Sequence, residues 1–309
     1  MDFKKLLRLL IPIMVEGALA VRRDSQNRLI EMLHQLEFVT RDITSTSDYF
    51  SIELQILDVD LLYRLLVGEA NKFLLASRIS HDRSNQSQVN NASWQTVEHY
   101  YAAYYGVHYL LRLTGISITN LDSRSASAIT RSSFWQKNPL PIPTGLYVMR
   151  YNNLTQILTL KKNVKKGPGG SHQEVWKLWE ELVEKLKSRT DSDLVEYIST
   201  AVDLAAHKSF LTKSTAKYNP PDIRNEINYQ FKGGSWVFEA NSRRSIDRIQ
   251  RSIADTHSEI LTQTSTPEGL VSNNKIIIGL AKAVFLHAAD KYPKSICRSL
   301  ASKYSSFFT

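Results

Sequence analysis

Cysteine is almost absent from this chain, since Cys297 is the single one in 309 residues. One thiol cannot form an internal disulfide, and it also excludes a zinc site built on cysteine pairs. Glycine and proline are sparse as well, with 12 and 9 residues, which argues against a β-rich or disordered chain. The shortage of cysteine favours a reducing compartment, so we expect a cytoplasmic protein.

Long hydrophobic runs and common cofactor motifs are missing too. No segment reaches the 18 or more apolar residues of a membrane span, and the uncharged stretch Leu9–Val15 is short for the core of a signal peptide. The chain has no GxxxxGKS/T, GxGxxG, HExxH or paired CxxC motif. We therefore expect no cofactor, no metal site and no membrane contact.

Positive charge is present in excess. The chain has 39 Lys and Arg residues against 30 Asp and Glu residues, a formal net charge of +9. This surplus favours a polyanionic partner through long-range attraction, although an ordinary basic soluble protein has the same balance. Two clusters are candidates for nucleic-acid-backbone contacts, and as alternatives they are a solvated loop and a solvated helix face. The clusters are Lys161, Lys162, Lys165 and Lys166, and Arg244, Arg248 and Arg251.

Most of the sequence has the apolar period of a helix, and we predict an all-α fold. The period lapses only between residues 116 and 170, where short strands near Tyr147–Leu160 are compatible with the pattern. We therefore predict an N-terminal helical extension over residues 1–50, a helical bundle over residues 51–264 with an irregular insertion at 116–170, and a C-terminal helical pair over residues 265–309.

The most apolar predicted helix, between Ser93 and Gly115, has an unusually polar aromatic face. Tyr101, Tyr105 and His108 follow each other at i, i+4 and i+7. Such a stripe is typical of a core, but a buried tyrosine hydroxyl also needs a partner. We interpret these three residues either as core or as support for a neighbouring site.

The segment NPPDIRNEINYQ concentrates polar side chains after a double proline. The prolines suit the first turn of a helix. Arg224 has the forked donors that bind a phosphate through two oxygens, and as the alternative it pairs with a carboxylate of a neighbouring helix. Asn225, Asn228 and Tyr229 complete the candidate site.

Three segments together carry a resemblance to a known superfamily. GEANKFLLASRIS and YYAAYYGVHYLLRLTG, followed later by IRNEINYQ, resemble the HEPN superfamily of helical prokaryotic proteins. The resemblance covers residues 58–113 and 192–263. Arg224 and Asn225 match the start of the superfamily's Arg/His motif, while Tyr229 stands where its shortest form has histidine. Some HEPN branches carry a similar ending.

The resemblance implies a dimerising helical bundle in which the motifs of two protomers meet in one cleft. It implies a role in prokaryotic defence or toxin–antitoxin systems, either as a metal-independent ribonuclease or as a binding module. The implied partners are RNA or a nucleotide and a protein such as a nucleotidyltransferase, helicase or nuclease.

The missing histidine affects the choice between cleavage and binding. RNA cleavage through the 2′-hydroxyl needs a proton acceptor, and the ordinary pKa of tyrosine is roughly three units or more above that of histidine. At about 1.4 kcal/mol per unit, this corresponds to about 4–5 kcal/mol. We therefore predict an RNA- or nucleotide-binding subunit with weak or no catalysis. The alternatives are a ribonuclease using Arg224 and Tyr229 at a dimer cleft and a non-enzymatic helical scaffold.

Overall fold

A five-stranded antiparallel sheet lies beside the helices, so the all-α prediction is wrong. The computed structural model describes residues 2–23, 27–86, 92–133, 140–164, 170–212, 218–255 and 264–308. The sheet has the order β1-β2-β5-β4-β3. Its strands are β1 Phe38–Ser45, β2 Tyr49–Ile56, β3 Ile116–Leu121, β4 Gly145–Asn152 and β5 Ile157–Asn163.

The strand period explains why a helical interpretation fails around residue 50. Phe50, Ile52, Leu54 and Ile56 alternate with less buried residues along β2 and are buried on one face of the sheet. A helical stripe through Leu54 would continue to Leu57, but Leu57 is exposed. A period of two belongs to a strand with one covered face. The period is short here, and the helical period takes over directly afterwards.

The sheet joins three parts of the sequence. Strand β1 comes from the region expected as a helical N-terminal extension, and β3, β4 and β5 come from the 116–170 insertion. Leu160 of β5 pairs with Ile52 of β2 on one side and with Met149 of β4 on the other. The insertion does contain strands where the sequence suggested them, and its strand β5 pairs with β2, which spans the predicted boundary between the N-terminal extension and the bundle.

Most of the described residues outside the sheet lie in α-helices. They are α1 Phe3–Leu10, α2 Leu29–Met32, α3 Val59–Asn85, α4 Ala92–Leu113, α5 Ser123–Ser132, α6 Ser171–Thr190, α7 Leu194–Leu211, α8 Asn219–Gln230, α9 Ser242–Ala254, α10 Pro267–Lys291 and α11 Ile296–Lys303.

Helix α4 is the centre of the helical part. It packs against α3, α6, α8, α9 and α10 and continues through a turn at Gly115 into β3. Gly106 permits a close contact with α10, since a Cβ atom at this position would lie 3.1 Å from Ile277 Cγ2. Because five helices surround it, α4 can present side chains to several sites at once.

Helix α10 is long and apolar enough to span a membrane by length and composition alone, the one such helix among the described residues. In this fold 67% of its most apolar window is buried against other elements. Core helices of water-soluble proteins pass the same test, so its apolar character is explained by packing against α4 and α9.

Candidate functional site

Arg224 lies where α8 approaches α4. Pro220 and Pro221 occupy the buried first turn of α8, where a missing backbone N–H costs little. Arg224 follows one turn later, between the buried residues Ile223 and Ile227. The two isoleucines anchor α8, and the partly exposed guanidinium is left at the edge of the α4 contact.

Two polar neighbours hold the Arg224 guanidinium. Its Nη2 donates to the hydroxyl of Tyr101 on α4, and its Nη1 donates to Asn225 Oδ1 at 2.8 Å. The guanidinium carbon also lies 5.4 Å from the centre of the Tyr101 ring and 5.1 Å from that of Tyr229. The arginine is thus oriented by neutral groups, in part through cation–π contacts.

The positive charge of Arg224 is not neutralised by a carboxylate of the described chain, where it forms no ion pair. Among the described residues, Arg224 therefore does not pair with a carboxylate of a neighbouring helix, which was the alternative interpretation. Its Nε is buried and has no hydrogen-bond partner there. Burial acts to lower the pKa of Arg224, but the bond to Tyr101 and the surrounding phenols outweigh it and raise the pKa. Arg224 is therefore a positively charged group with N–H donors left for a ligand.

Tyrosines of α4 form the wall behind Arg224. The ring of Tyr101 stacks at 5.9 Å on that of Tyr105 and meets that of Tyr104 edge-on at 6.4 Å. Burial raises the pKa of Tyr104 and of Tyr105, so both hydroxyls keep their protons at neutral pH. The predicted aromatic face therefore does lie at the site and presents neutral hydroxyls to it.

His172 completes the cluster from a third helix. It stands at the start of α6 and stacks on Tyr104 with ring centres 4.4 Å apart, 6.3 Å from the ring of Tyr101. Burial and then the charge of Arg224 lower its pKa. The sequence interpretation did not single out His172, because nothing in its own helix distinguishes it from a surface histidine.

The hydrogen bonds around Tyr100 determine which imidazole nitrogen of His172 carries the proton. Trp176 Nε1 donates to the Tyr100 hydroxyl at 3.1 Å, and that hydroxyl lies 2.8 Å from His172 Nδ1. Within the described part of the chain, Nδ1 is the only acceptor for the proton of this buried hydroxyl, which therefore donates to it. A neutral His172 then carries its proton on Nε2 and presents an N–H donor.

His108 belongs to a separate, buried network. Its Nδ1 accepts from Arg112 Nη1 at 3.0 Å, and Arg112 in turn forms a 2.7 Å ion pair with Glu69. The imidazole stacks on Phe73 at 4.5 Å. Burial and then Arg112 hold the pKa of His108 well below its ordinary value. His108 therefore supports the tyrosine wall from behind.

Tyr229 and Asn228 lie on α8 beyond Arg224. Tyr229 is 65% exposed, with its ring beside the guanidinium. Asn228 follows Arg224 by one turn, so these two residues lie on the same face of α8. Asn228 is partly exposed. All four residues predicted from this segment thus lie in the last two turns of α8, with Tyr229 exposed at its C-terminal end.

Exposed aromatic rings continue from this end of α8. Phe231 and Phe238 have ring centres 5.5 and 5.4 Å from that of Trp236, and Trp94 of α4 lies 6.0 Å from Trp236 on the other side. We call Trp94, Phe231, Trp236 and Phe238 the aromatic patch. Half or more of the surface of Phe231 and Phe238 is exposed, at 51% and 65%. A contiguous exposed apolar surface of this kind marks an interaction site.

A tight turn holds the aromatic patch in place. Glu239 accepts hydrogen bonds from the backbone N–H groups of Gly234 and Trp236 at 2.9 and 2.8 Å. Trp236 Nε1 donates to the carbonyl of Ile227 at 2.8 Å. The positive φ of Gly234, +66°, suits a residue without Cβ. The sequence signal for the aromatic patch is three aromatic residues around the Gly233–Gly234 pair and one at the start of α4.

The two predicted basic clusters lie in different parts of the fold. Arg244, Arg248 and Arg251 do form an exposed face of α9, opposite the buried Ile249, and Arg248 Nε lies 3.5 Å from Glu268 Oε1. Helix α9 packs against α4 and α10, and α8 contacts the same two helices.

The lysines of β5 are not part of this site. Lys161 lies over the ring of Tyr49 at 3.9 Å, and Lys162 donates to the carbonyl of Thr144. Both therefore sit on the sheet, whose β5 pairs with β2 and β4. Lys165 and Lys166 lie outside the described residues.

Within the parts of the chain that the structure describes, no group of three or more His, Cys, Asp and Glu side chains is arranged to hold a metal ion. Comparisons with protein-family models, curated proteins and solved structures give no match to this chain. The resemblance to HEPN proteins therefore rests on the three sequence segments alone and stays a prediction.

Proposed function

We propose that this protein binds single-stranded RNA, with a backbone phosphate at Arg224 and unpaired bases on the aromatic patch. The observation that carries the proposal is a partly buried guanidinium held by neutral groups, without a carboxylate partner in the described chain. It lies 5.1 Å from the exposed ring of Tyr229, on the helix whose C-terminal end leads into the aromatic patch. The resemblance to HEPN proteins points to the same class of ligand from the sequence.

Arg224 has the chemistry of a phosphate ligand. A guanidinium binds phosphate oxygens in a forked geometry, and hydrogen bonds to charged groups are stronger than those between neutral groups. Tyr101 and Asn225 orient the fork before a ligand arrives, which reduces the entropy lost on binding. His172, as an N–H donor on the same tyrosine wall, is a second group that suits phosphate.

The aromatic patch favours unpaired bases over a duplex. Bases of single strands stack on exposed aromatic side chains, at about 1–3 kcal/mol per base, whereas paired bases have no free face. Two acidic side chains of this region are engaged elsewhere: Glu239 caps the turn, and Glu98 lies 3.6 Å from Arg83. The basic face of α9 and the net charge of +9 add long-range attraction.

Fluorescence anisotropy with labelled single-stranded RNA tests the proposal. Arg224→Gln should weaken binding about tenfold to a hundredfold, the effect of about 1.5–3 kcal/mol from a charge-assisted hydrogen bond. The matched control is Arg189→Gln, which removes the same charge from the exposed far end of α6. Trp236→Ala and Phe238→Ala should each weaken binding to single-stranded RNA.

Three results would contradict the proposal. One is equal affinity for single-stranded and duplex RNA of the same length. Another is an equal loss for Arg224→Gln and Arg189→Gln, which would assign binding to net charge alone. The third is absence of salt-dependent RNA affinity, which would favour the scaffold alternative.

A metal-independent ribonuclease is the second candidate, because His172 supplies the imidazole that α8 lacks. The hydrogen bond from Tyr100 to Nδ1 argues for binding over turnover, since it leaves Nε2 protonated and unable to accept a proton from a 2′-hydroxyl without a change of tautomer. Cleavage that persists in EDTA and is lost in both His172→Gln and Arg224→Gln would establish the enzyme.

The biological setting is carried over from the resemblance. It comprises a cytoplasmic location, a prokaryotic defence or toxin–antitoxin role and a protein partner such as a nucleotidyltransferase, helicase or nuclease. Copurification from the source cell tests the partner, and the gene neighbourhood tests the setting.

A further inference from the structure

Helix α7 has an apolar stripe on its solvent side. Val195, Ile198 and Val202 are 91%, 65% and 64% exposed, and Ala205 continues the line as a fourth exposed residue. Their spacings of three, four and three residues place them on one narrow seam, as in the a and d positions of a two-heptad coiled coil. We call these four residues the α7 seam.

The opposite side of α7 is already used. Tyr197, Leu204, Phe210 and Leu211 are buried, and the helix packs against α6. A helix that is apolar on both sides is typical of the interior of an assembly, since a surface helix normally keeps a polar outer face. The α7 seam therefore lacks a cover within the described part of this chain.

We propose that the seam is covered by α7 of a second copy of this protein, packed antiparallel across a two-fold axis. A two-fold interface requires a surface that is complementary to itself. Antiparallel pairing places Val195 opposite Ala205 and Ile198 opposite Val202, so that each large side chain faces a smaller one at every level. None of the four residues of the seam is charged, so both pairs are apolar.

The charges at the two ends of α7 support the antiparallel orientation. Asp191 and Asp193 are exposed at its N-terminal end, and Lys208 lies in its last turn. Antiparallel pairing brings each acidic end beside the lysine of the other copy. Lys208 is paired with Glu184 at 2.8 Å, and an ammonium group has donors for a second carboxylate. Parallel pairing would set like charges, and like helix dipoles, side by side.

The start of α7 is remote from Arg224. The turn before α7 follows the C-terminal end of α6, whereas His172 stands at the N-terminal end of that helix. The 20 residues of α6 separate these two points, roughly 30 Å at 1.5 Å per residue. Helix α7 then runs back along α6 and ends beside α8, where Asn219 Nδ2 donates to the carbonyl of Phe210. The inference does not depend on RNA binding.

Sedimentation equilibrium of the full chain over a range of concentrations is the first test. Because two heptads form a short seam, we expect a concentration-dependent monomer–dimer equilibrium. Ile198→Glu should weaken the dimer at least tenfold, as a charge would be buried in the seam. Leu154→Glu is the matched control, since Leu154 is 93% exposed at the β4–β5 turn and outside the seam.

Disulfide trapping tests the orientation. The double variant Val195→Cys with Ala205→Cys should form a covalent dimer on oxidation, while Ile198→Cys alone should not, because only parallel pairing brings the two copies of residue 198 together. The native Cys297 is 2% exposed and does not compete.

Each outcome decides the proposal. A monomer at every concentration would overturn it, and so would a dimer that Ile198→Glu leaves intact. Trapping through Ile198→Cys alone would overturn the antiparallel arrangement. Loss of RNA binding in Arg224→Gln would have no bearing on any of these results.

Discussion

Arg112 and Arg224 contact the same helix-α4 framework but have opposite environments. Arg112 is 5% exposed, forms a 2.7 Å ion pair with Glu69 and donates to His108. Arg224 is held by Tyr101 and Asn225 and has no carboxylate partner in the described chain. A satisfied buried arginine holds the fold together, whereas an oriented and unneutralised one is suited to an external anion. About three turns of α4 separate Arg112 from Tyr101, the α4 residue that Arg224 contacts.

Removing the carboxylate of the first region should have the largest effect. Glu69→Gln leaves Arg112 buried without a counter-charge, and it also weakens the acceptor that Glu69 offers to the backbone N–H of Leu29 at 2.8 Å. We expect the free energy of unfolding to fall by about 3–5 kcal/mol, measured by urea denaturation. The control Glu181→Gln breaks an exposed pair with Arg150 and should cost no more than about 1 kcal/mol. Equal losses in the two variants would contradict this assignment.

Acid should destabilise the protein through its buried histidines. His207 accepts from Trp179 Nε1 at 2.9 Å and lies 3.0 Å from Asn273 Oδ1, and burial lowers its pKa to about 4. Above about pH 6.5 the histidine is neutral in both states, and between pH 6.5 and 4 the unfolded chain binds a proton that the folded chain excludes. Stability should therefore fall over this range, by about 3 kcal/mol from His207.

Histidine variants separate the buried imidazoles from that of the site. His207→Gln should reduce the loss of stability between pH 7 and pH 4.5, because glutamine does not titrate. His172→Gln should reduce it less, because His172 is only half-buried. Urea titrations at several pH values measure both, and an unchanged pH dependence in His207→Gln would refute the assignment.

The smallest expected effect concerns the phenol that orients Arg224. Tyr101→Phe removes the acceptor of Arg224 Nη2 but keeps the ring. We expect RNA affinity to fall about 2- to 10-fold, the equivalent of about 0.5–1.5 kcal/mol, with little change in stability. Tyr105→Phe is the matched control on the same wall and should leave affinity unchanged. A larger loss of affinity in Tyr105→Phe than in Tyr101→Phe would contradict the orienting role of Tyr101.

The candidate site was partly predictable from sequence. Local spacing placed Tyr101 and Tyr105 on one face of α4, and the double proline marked the start of α8, so both faces of the contact were found. The basic face of α9 was found in the same way. His172 was not found, because its position opposite Tyr104 depends on how α6 packs and not on any pattern in α6 itself.

The fold was predictable where one period is long and uninterrupted. Helices α3, α4 and α6 extend over 27, 22 and 20 residues, enough for the helical period to be unmistakable. Strands β1 and β2 have eight residues each and adjoin helical segments. Their alternating pattern is therefore short, and the sequence prediction extended the neighbouring helices over both strands. Strand pairing also depends on partners distant in sequence, as Ile52 and Leu160 show.

The sequence by itself determined the long helices, the positive charge and the polar segment around Arg224, because each is a local property of composition or spacing. Tertiary structure decided which charges are neutralised: Arg112 forms an ion pair with Glu69 of another helix, whereas Arg224 donates to a tyrosine hydroxyl. It also assembled the aromatic patch from two distant segments and left the α7 seam uncovered. The physical reason is that a period specifies which side of an element is apolar, while the neighbour of that side depends on how the whole chain packs.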